Sequence, residues 1–176
     1  MRCVITGGPG RGKTSLLKHL SKLGYRTGRE LEREFMQEER AKPLEERRCL
    51  PEIDMAAFQS KMFGLKCREY ETIVPADGEV VFFDRGMPDS IAYFRREGIA
   101  VPESTTSLCR RNRYDRIFIL DALPEYVGDD ERYEDEQHAQ LTHDLVSRAY
   151  KSLGYGIIVV PPVPVPERAG IVLANI

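Results

Sequence analysis

The chain has 176 residues, of which 41% are hydrophobic and 31% are charged, and its formal net charge at pH 7 is −2. This length and balance are typical of one soluble globular domain with a buried core. The near-neutral charge argues against nucleic acid or an anionic membrane as an obligatory partner. No apolar run approaches the roughly 20 residues that a membrane-spanning helix needs.

The chain begins with a strand pattern rather than with a signal peptide, so a cytoplasmic location is expected. Its four cysteines include no CxxC pair, and only three histidines are present. This usage favours free thiols over a zinc site or a disulfide framework.

Strand and helix patterns alternate in the first half of the chain. A short apolar strand at residues 3–6 meets a glycine-rich stretch. A helix is predicted over residues 13–23, where four leucines recur at helical spacing. The chain then predicts a second strand over residues 25–30 and two helices over residues 30–48 and 52–72.

The second half predicts three more strands, over residues 79–84, 116–121 and 156–160. The first two are nearly continuous apolar runs that end in an aspartate, as is typical of strands buried on both faces of a parallel sheet. Helices are predicted from Pro88 to Gly98, over residues 131–153 and over residues 167–175. Strands that are joined by helices predict right-handed crossovers and a parallel sheet covered on both faces.

Residues 7–14, with the sequence GGPGRGKT, match the pattern G-x-x-x-x-G-K-[ST] between the first strand and the first helix. Glycines let backbone N–H groups approach phosphates, and the helix N-terminus adds a positive dipole. We expect the Lys13 ammonium to contact the β- and γ-phosphates and the Thr14 hydroxyl to bind Mg²⁺. The predicted nucleotide-binding residues are Gly8, Pro9, Gly10, Arg11, Gly12, Lys13, Thr14 and Ser15.

This motif predicts the fold class as well as the ligand. We expect an α/β, three-layer P-loop NTPase fold with a central five-stranded parallel sheet, and one domain over residues 1–176. The spacing does not match the G-x-G-x-x-G of dinucleotide-binding proteins. The chain also lacks an Asn-Lys-x-Asp guanine motif, which favours ATP over GTP. A glycine-rich turn with an incidental lysine is the alternative.

Asp84 ends the most apolar predicted strand, at the edge of the sheet where parallel α/β proteins bind their ligands. We expect its carboxylate to hold Mg²⁺ directly or through a water, with a turn or helix-capping role as the alternative. Arg85 would contact the transferring phosphoryl group or the acceptor, and a surface salt bridge is its alternative. Asp89 fits the first turn of the following helix, where the helix dipole favours a carboxylate.

Residues 82–93, with the sequence FFDRGMPDSIAY, resemble a signature of the small P-loop ATPase and kinase family called the AAA domain family. That family includes the ribosylnicotinamide kinase module of NAD metabolism. Further similarity lies in residues 50–59, 131–134, 150–155 and 160–168, so the resemblance covers nearly the whole chain. It implies a nucleoside or nucleotide kinase-like P-loop NTPase and leaves the substrate open.

The resemblance to the related deoxynucleoside kinases also implies roles for single residues. It implies Glu30, just after the second strand, as general base toward the acceptor hydroxyl, and Arg33 as a residue that orients the acceptor. A solvated helix face is the alternative for Glu30. Residues 30–72 match a helical insert, residues 161–165 the adenine loop, and residues 126–136 the kinase lid. Arg132 of that lid would contact phosphate, unless the acidic residues around it only favour a helix N-terminus.

Taken together, these features favour a small-molecule kinase that transfers the γ-phosphoryl group of ATP to a nucleoside- or nucleotide-like acceptor. Its predicted catalytic residues are Lys13, Glu30, Asp84, Arg85 and Arg132. The acceptor would be bound by Arg33 and Arg85, and Mg²⁺ by Thr14 and Asp84. One alternative is a regulatory ATPase or GTPase whose nucleotide only sets a conformation. Another is a nucleic-acid-processing ATPase, which the net charge disfavours.

Overall fold

The computed structural model describes residues 1–122 and 136–176. Its five strands are β1 (Arg2–Thr6), β2 (Arg26–Thr27), β3 (Val81–Asp84), β4 (Arg116–Leu120) and β5 (Ile158–Val160). All neighbouring strands run parallel, and their order across the sheet is β2-β3-β1-β4-β5.

Seven α-helices lie in the described part of the chain. They are α1 (Lys13–Lys22), α2 (Leu31–Ala41), α3 (Met55–Thr72), α4 (Met87–Arg96), α5 (Glu103–Arg111), α6 (Glu136–Ser152) and α7 (Val165–Leu173). A short 3-10 helix, Leu44–Glu46, connects α2 to the segment that leads into α3. Among the described residues, no helix is both long enough and apolar enough to cross a membrane.

Alternating side chains on the strands build one hydrophobic core on each face of the sheet. On β1, Cys3 and Ile5 belong to the core that α1 and α7 complete, whereas Val4 belongs to the core under α4 and α6. A third, smaller cluster joins Phe35 of α2 to Phe58 and Met62 of α3. Helices thus cover both faces of the sheet, and the predicted three-layer α/β fold with five parallel strands is confirmed.

The second strand is shorter than the sequence predicts. The Gly28 N–H still donates to the Phe82 carbonyl at 2.7 Å, but the next N–H, of Arg29, donates to the Glu69 carboxylate at 2.8 Å. A side chain therefore replaces the strand partner, and the chain turns out of the sheet after Thr27.

Two helix boundaries in the segment between β2 and β3 also differ from the prediction. Helix α2 ends at Ala41 instead of continuing to residue 48. Lys42 precedes Pro43 and adopts an extended ψ of 156°, because a residue before proline is disfavoured in the helical region. Helix α3 begins at Met55, where the Asp54 carboxylate caps it by accepting the Ala57 N–H at 2.9 Å.

Helix α5 was not predicted from the sequence. It follows Pro102, and its buried residues are Thr105 and Cys109, four positions apart on one face. Two buried positions among charged and polar neighbours leave little apolar periodicity to detect. The candidate lid and Arg132 lie outside the described residues, which resume at the start of α6.

Glu69 of α3 carries a buried carboxylate that faces the segment just after β2. Its side chain is 7% exposed, and burial raises its pKa to about 7, even though the Arg29 N–H hydrogen bond favours the charged form. An acid whose pKa is higher in the folded state destabilises that state as it ionises. Glu69 therefore costs stability as the pH rises from about 4.5, its unfolded value, to about 7.

The raised pKa of Glu69 predicts that the Glu69→Gln variant is more stable than the unaltered protein, by an amount that depends on pH. At pH values above about 7 the variant should be more stable by at most about 3 kcal/mol, because glutamine keeps an acceptor for Arg29 and loses the charge. Near pH 4 the gain should vanish, since both states then hold the proton. Urea unfolding across this range measures the difference, and exposed Glu71→Gln on the same helix is the control. An equal gain at both ends of the range would contradict the prediction.

Candidate active site

The glycine-rich loop turns tightly between β1 and α1. Gly12 has a left-handed φ of 79°, which only glycine adopts without strain, and Lys13 follows it as the first residue of α1. Gly8 is buried against α6, where a Cβ would clash with the Ala139 carbonyl oxygen. The loop therefore leads directly into the N-terminus of α1, where the helix dipole favours an anion.

The Lys13 side chain curves back over this loop. It is 8% exposed, and its Nζ donates to the Gly8 carbonyl at 2.8 Å and to the Gly7 carbonyl at 3.3 Å. These contacts hold the ammonium beside the loop, at the wall of a cavity that Thr14 also lines.

Asp84 reaches the same cavity because of the strand register. Ile5 of β1 pairs with Asp84 of β3, so both strands end at the same edge of the sheet. Its Oδ1 atom is buried and accepts no hydrogen bond from the described residues. Burial raises the pKa of Asp84, although nearby Lys13 and Arg85 favour its charged form.

These oxygen donors fit a magnesium site. Magnesium prefers carboxylate, hydroxyl, water and phosphate oxygens and needs few protein ligands beside a nucleotide. Thr14 and Asp84 line one cavity, and the buried Oδ1 has no competing hydrogen bond within residues 1–122 and 136–176. The same residues contain no group of three or more His, Cys, Asp and Glu side chains that could hold a metal by themselves.

Arg85 and Asp89 form a buried link between α4 and the phosphate loop. Arg85 has a φ of 63°, the only left-handed value of a non-glycine residue in the described chain. Its Nη1 donates to the Gly7 carbonyl at 2.8 Å and to Asp89 Oδ1 at 3.2 Å. The sequence left a surface salt bridge as the alternative for Arg85. The ion pair is instead buried, since the Arg85 side chain is 11% exposed and the Asp89 side chain is 0% exposed.

The Asp89 carboxylate also binds three other parts of the fold. Its Oδ2 accepts the Gly86 N–H at 2.9 Å and the Tyr150 hydroxyl at 2.7 Å, and the Thr6 hydroxyl donates to its Oδ1. Burial alone would raise the pKa of Asp89, but Lys66, Arg85 and these hydroxyls outweigh it and hold the pKa below its usual range. The sequence identified Asp89 only as a residue of the first helical turn.

A second buried arginine ties the loop after β5 to the phosphate loop. Arg168 of α7 is 2% exposed, and it donates from Nε to the Val163 carbonyl at 2.7 Å and from Nη1 to the Arg11 carbonyl at 2.9 Å. Arg11 itself points toward α6, where its Nη2 donates to Gln140 at 2.7 Å. Arg168 therefore fixes residues 161–165, the predicted adenine loop, beside the P-loop.

The cavity has a volume of about 370 Å³ and extends from the P-loop to the helices between β2 and β3. The predicted site residues that line it are Pro9, Lys13, Thr14, Glu30, Arg33, Asp84 and Arg85. Ser15 is exposed on α1 and lies outside the cavity lining, as does Arg11. The functional roles of all these residues stay predictions.

Several cavity residues were missed from the sequence. Met55, Gln59, Met62 and Lys66 of α3 recur at spacings of four, three and four, so they share one helix face, and all four line the cavity. Tyr93 of α4 lines it as well. The sequence showed the apolar part of this face, but an amphipathic stripe alone does not tell a core from a ligand pocket.

Comparison with known proteins identifies the family. The AAA domain family matches residues 2–168. The chain belongs to the AAA domain family. The resemblance seen in the sequence is thereby confirmed, and a comparison with curated protein sequences finds no match.

Solved structures similar to this AAA domain protein include two kinases and the NadR protein. Deoxyadenosine kinase from M. mycoides has 17% identity and a TM-score of 0.66, with 99% of this chain and 98% of that chain covered. Thymidylate kinase from Ehrlichia chaffeensis has 14% identity and a TM-score of 0.64, covering 99% and 97%. The NadR protein has 19% identity and a TM-score of 0.66, and the match covers 90% of this chain but 45% of NadR. At these identities the likeness shows a shared fold.

The close contact at Gly8 predicts that Gly8→Ala destabilises the AAA domain protein by roughly 1–3 kcal/mol, because the added Cβ displaces α6 from the loop. Gly64→Ala is the matched control. Gly64 lies inside α3, where an added Cβ would meet no other atom within 4 Å, so alanine there should stabilise by about 0.5–1 kcal/mol. Urea unfolding of both variants measures this, and a loss of equal size in the two would contradict the prediction.

Proposed function

We propose that this protein is a phosphotransferase that moves the γ-phosphoryl group of ATP to a hydroxyl or phosphate of a nucleoside- or nucleotide-like acceptor. One observation supports this most directly. A single cavity is lined by the P-loop residues Lys13 and Thr14, by the strand-end Asp84, and by Glu30 and the apolar face of α3. A protein that only binds or hydrolyses nucleotide needs no acceptor chamber beside its phosphate loop.

At the phosphate end, the loop N–H groups, the N-terminus of α1 and Lys13 would bind the triphosphate. Arg85 lies on the same wall, where its guanidinium would contact the transferring group. Thr14 and Asp84 would hold Mg²⁺, which when bound neutralises charge on the phosphate oxygens. Transfer of this kind depends mostly on positioning and charge stabilisation, both of which buried side chains supply.

At the acceptor end, Glu30 is the residue just before α2, and its Oε2 atom lies 3.5 Å from the Nε atom of Arg33. For a hydroxyl acceptor, the proton would pass to the Glu30 carboxylate as the oxygen bonds to the γ-phosphorus, and ADP would leave with the bridging oxygen. The methionines and Phe58 of the insert offer a flat apolar wall, and the buried Gln59 amide offers hydrogen bonds to the edge of a planar base.

The comparisons support the same proposal. Two similar structures that cover nearly the whole chain are a deoxyadenosine kinase and a thymidylate kinase. A lid that includes Arg132 and an adenine site at residues 161–165 belong to the proposal, as does the preference for ATP over GTP. A cytoplasmic location and the absence of a nucleic-acid partner stay predictions.

Nucleotide binding is tested first with Lys13→Ala. ATP with Mg²⁺ should raise the melting temperature of the unaltered protein by mass action, and the variant should lose most of that rise because the phosphates lose their ammonium partner. Exposed Lys22→Ala, at the other end of α1, is the control and should keep it. GTP in a parallel series tests the base preference. An equal rise in Lys13→Ala would place the triphosphate elsewhere.

Acceptor chemistry is tested with Glu30→Gln. With a panel of nucleosides and nucleotides, the unaltered protein should form ADP and a phosphorylated product in equal amounts. For a hydroxyl acceptor, Glu30→Gln should lower kcat by about 10²- to 10⁴-fold and leave the ATP-induced melting shift unchanged, because only proton transfer is lost. The neighbouring Glu32→Gln, an exposed residue of the same cavity, is the matched control. Slow ATP hydrolysis with no phosphorylated acceptor in the whole panel would favour a regulatory NTPase.

A further inference from the structure

Lys66 is a buried cation at the inner end of the cavity. It follows Gln59 and Met62 on the cavity-facing side of α3, and it is 8% exposed. The side chain is thus largely buried, while the residue still forms part of the cavity wall. A lysine in such a place is uncommon, because burial of an ammonium costs free energy unless a partner compensates it.

Within the described residues, Lys66 makes no hydrogen bond and no ion pair. The charged groups that act on it through space include Asp89, Arg85, Glu32, Asp84 and Glu69. Asp89 already binds Arg85 and three other donors, so it does not serve Lys66 as a dedicated partner. Burial accordingly lowers the pKa of Lys66, in spite of the carboxylates nearby.

Among the charged residues that line the cavity, the most deeply buried ones are mainly cations. Lys13 and Lys66 are each 8% exposed and the Arg85 side chain is 11% exposed, whereas the carboxylates that line the cavity are Asp84 and the more exposed Glu30 and Glu32. Asp84 is also the residue that fits Mg²⁺, and Lys13 is held at the P-loop for the triphosphate. Lys66 is thus a buried cation of the cavity that the proposed binding of ATP and Mg²⁺ does not use.

We propose that the acceptor carries an anionic group, a phosphate or a carboxylate, which binds the Lys66 ammonium. The inference rests on the proposed function, and it narrows the acceptor from a nucleoside- or nucleotide-like molecule to one that carries an anionic group. A neutral nucleoside would bury Lys66 further and give it no counter-charge, whereas an anionic group supplies a charge-assisted hydrogen bond in a site of low dielectric. The transfer step is unchanged: the bond from the γ-phosphorus to the bridging oxygen breaks, one to the acceptor oxygen forms, and ADP leaves.

Matched probes test this directly. Each nucleoside is compared with its 5′-monophosphate and its 5′-carboxylate for binding to the protein saturated with Mg²⁺ and a non-transferable ATP analogue, by thermal shift and calorimetry. The anionic members of a set should bind more tightly than the neutral nucleoside. Lys66→Met, which keeps the apolar stem, should weaken the anionic members by about 10- to 100-fold and leave the neutral one unchanged. Comparing the affinities of the 5′-monophosphate and the 5′-carboxylate shows which of the two anions the site prefers.

Two further variants separate binding from structure. Lys66→Arg should retain most of the preference for the anion, because it keeps the positive charge. Exposed Lys61→Met, on the same helix and outside the cavity lining, should bind every probe as the unaltered protein does. If Lys66 only balances the buried carboxylates, Lys66→Met would lower the unliganded melting temperature and weaken neutral and anionic probes alike, which would overturn the inference.

Product analysis keeps the two proposals apart. A neutral nucleoside that binds and is phosphorylated as well as its monophosphate would leave the kinase proposal standing and overturn the role of Lys66. Anion binding that depends on Lys66, with no phosphorylated product from any probe, would support the anion site and contradict the kinase proposal. Tighter binding of anions in both the unaltered protein and Lys66→Met would also overturn the inference.

Discussion

The buried carboxylate of Asp89 is the contact on which the phosphate-binding edge of the sheet depends. It joins the end of β1 through Thr6, the end of β3 through Arg85, and α6 through Tyr150. Arg85 extends the link to the Gly7 carbonyl in the loop itself. A charge that is wholly buried in this way is tolerated only when every oxygen has donors, and the same donors hold the separate elements at fixed distances. The loop that would hold the phosphates is therefore supported from behind by a carboxylate that does not line the cavity.

This arrangement explains how strain can persist beside the site. Arg85 adopts a left-handed φ that costs a residue other than glycine on the order of 1–3 kcal/mol, and its two side-chain hydrogen bonds offset that cost. The backbone turn places Asp84 and Arg85, neighbours in sequence, on the wall of one cavity. Arg168 has a comparable role on the opposite side, where it holds the loop after β5 against Arg11. Two buried arginines thus position the P-loop from two directions.

The rest of the cavity belongs to the helices between β2 and β3, and it decides what else could bind. The sheet edge supplies charge, whereas α2 and α3 supply methionines, Phe58, Gln59 and Lys66. In the proposed phosphotransferase, phosphate chemistry and acceptor selection would therefore lie on different parts of the fold. Within a P-loop frame that many kinases share, this helical wall is where the identity of an acceptor would be set.

The sequence by itself was enough to predict the five strands, the three-layer fold, the P-loop and the family. The strands, the fold and the P-loop follow from the spacing of residues within short segments, and the family follows from contiguous motifs. It also placed Asp84 at the correct edge, since parallel strands end together. It missed α5, the early ends of β2 and α2, the hydrogen-bond partners of Asp89 and Arg168, and the burial of Lys66. The end of α2 before Pro43 could have been recognised from the sequence. The end of β2, the partners of Asp89 and Arg168 and the burial of Lys66 depend on residues far apart in the chain, such as Arg29 with Glu69 and Tyr150 with Asp89. Only the tertiary structure could decide them, because a buried charge reveals its partners through distance in space and not through spacing in sequence.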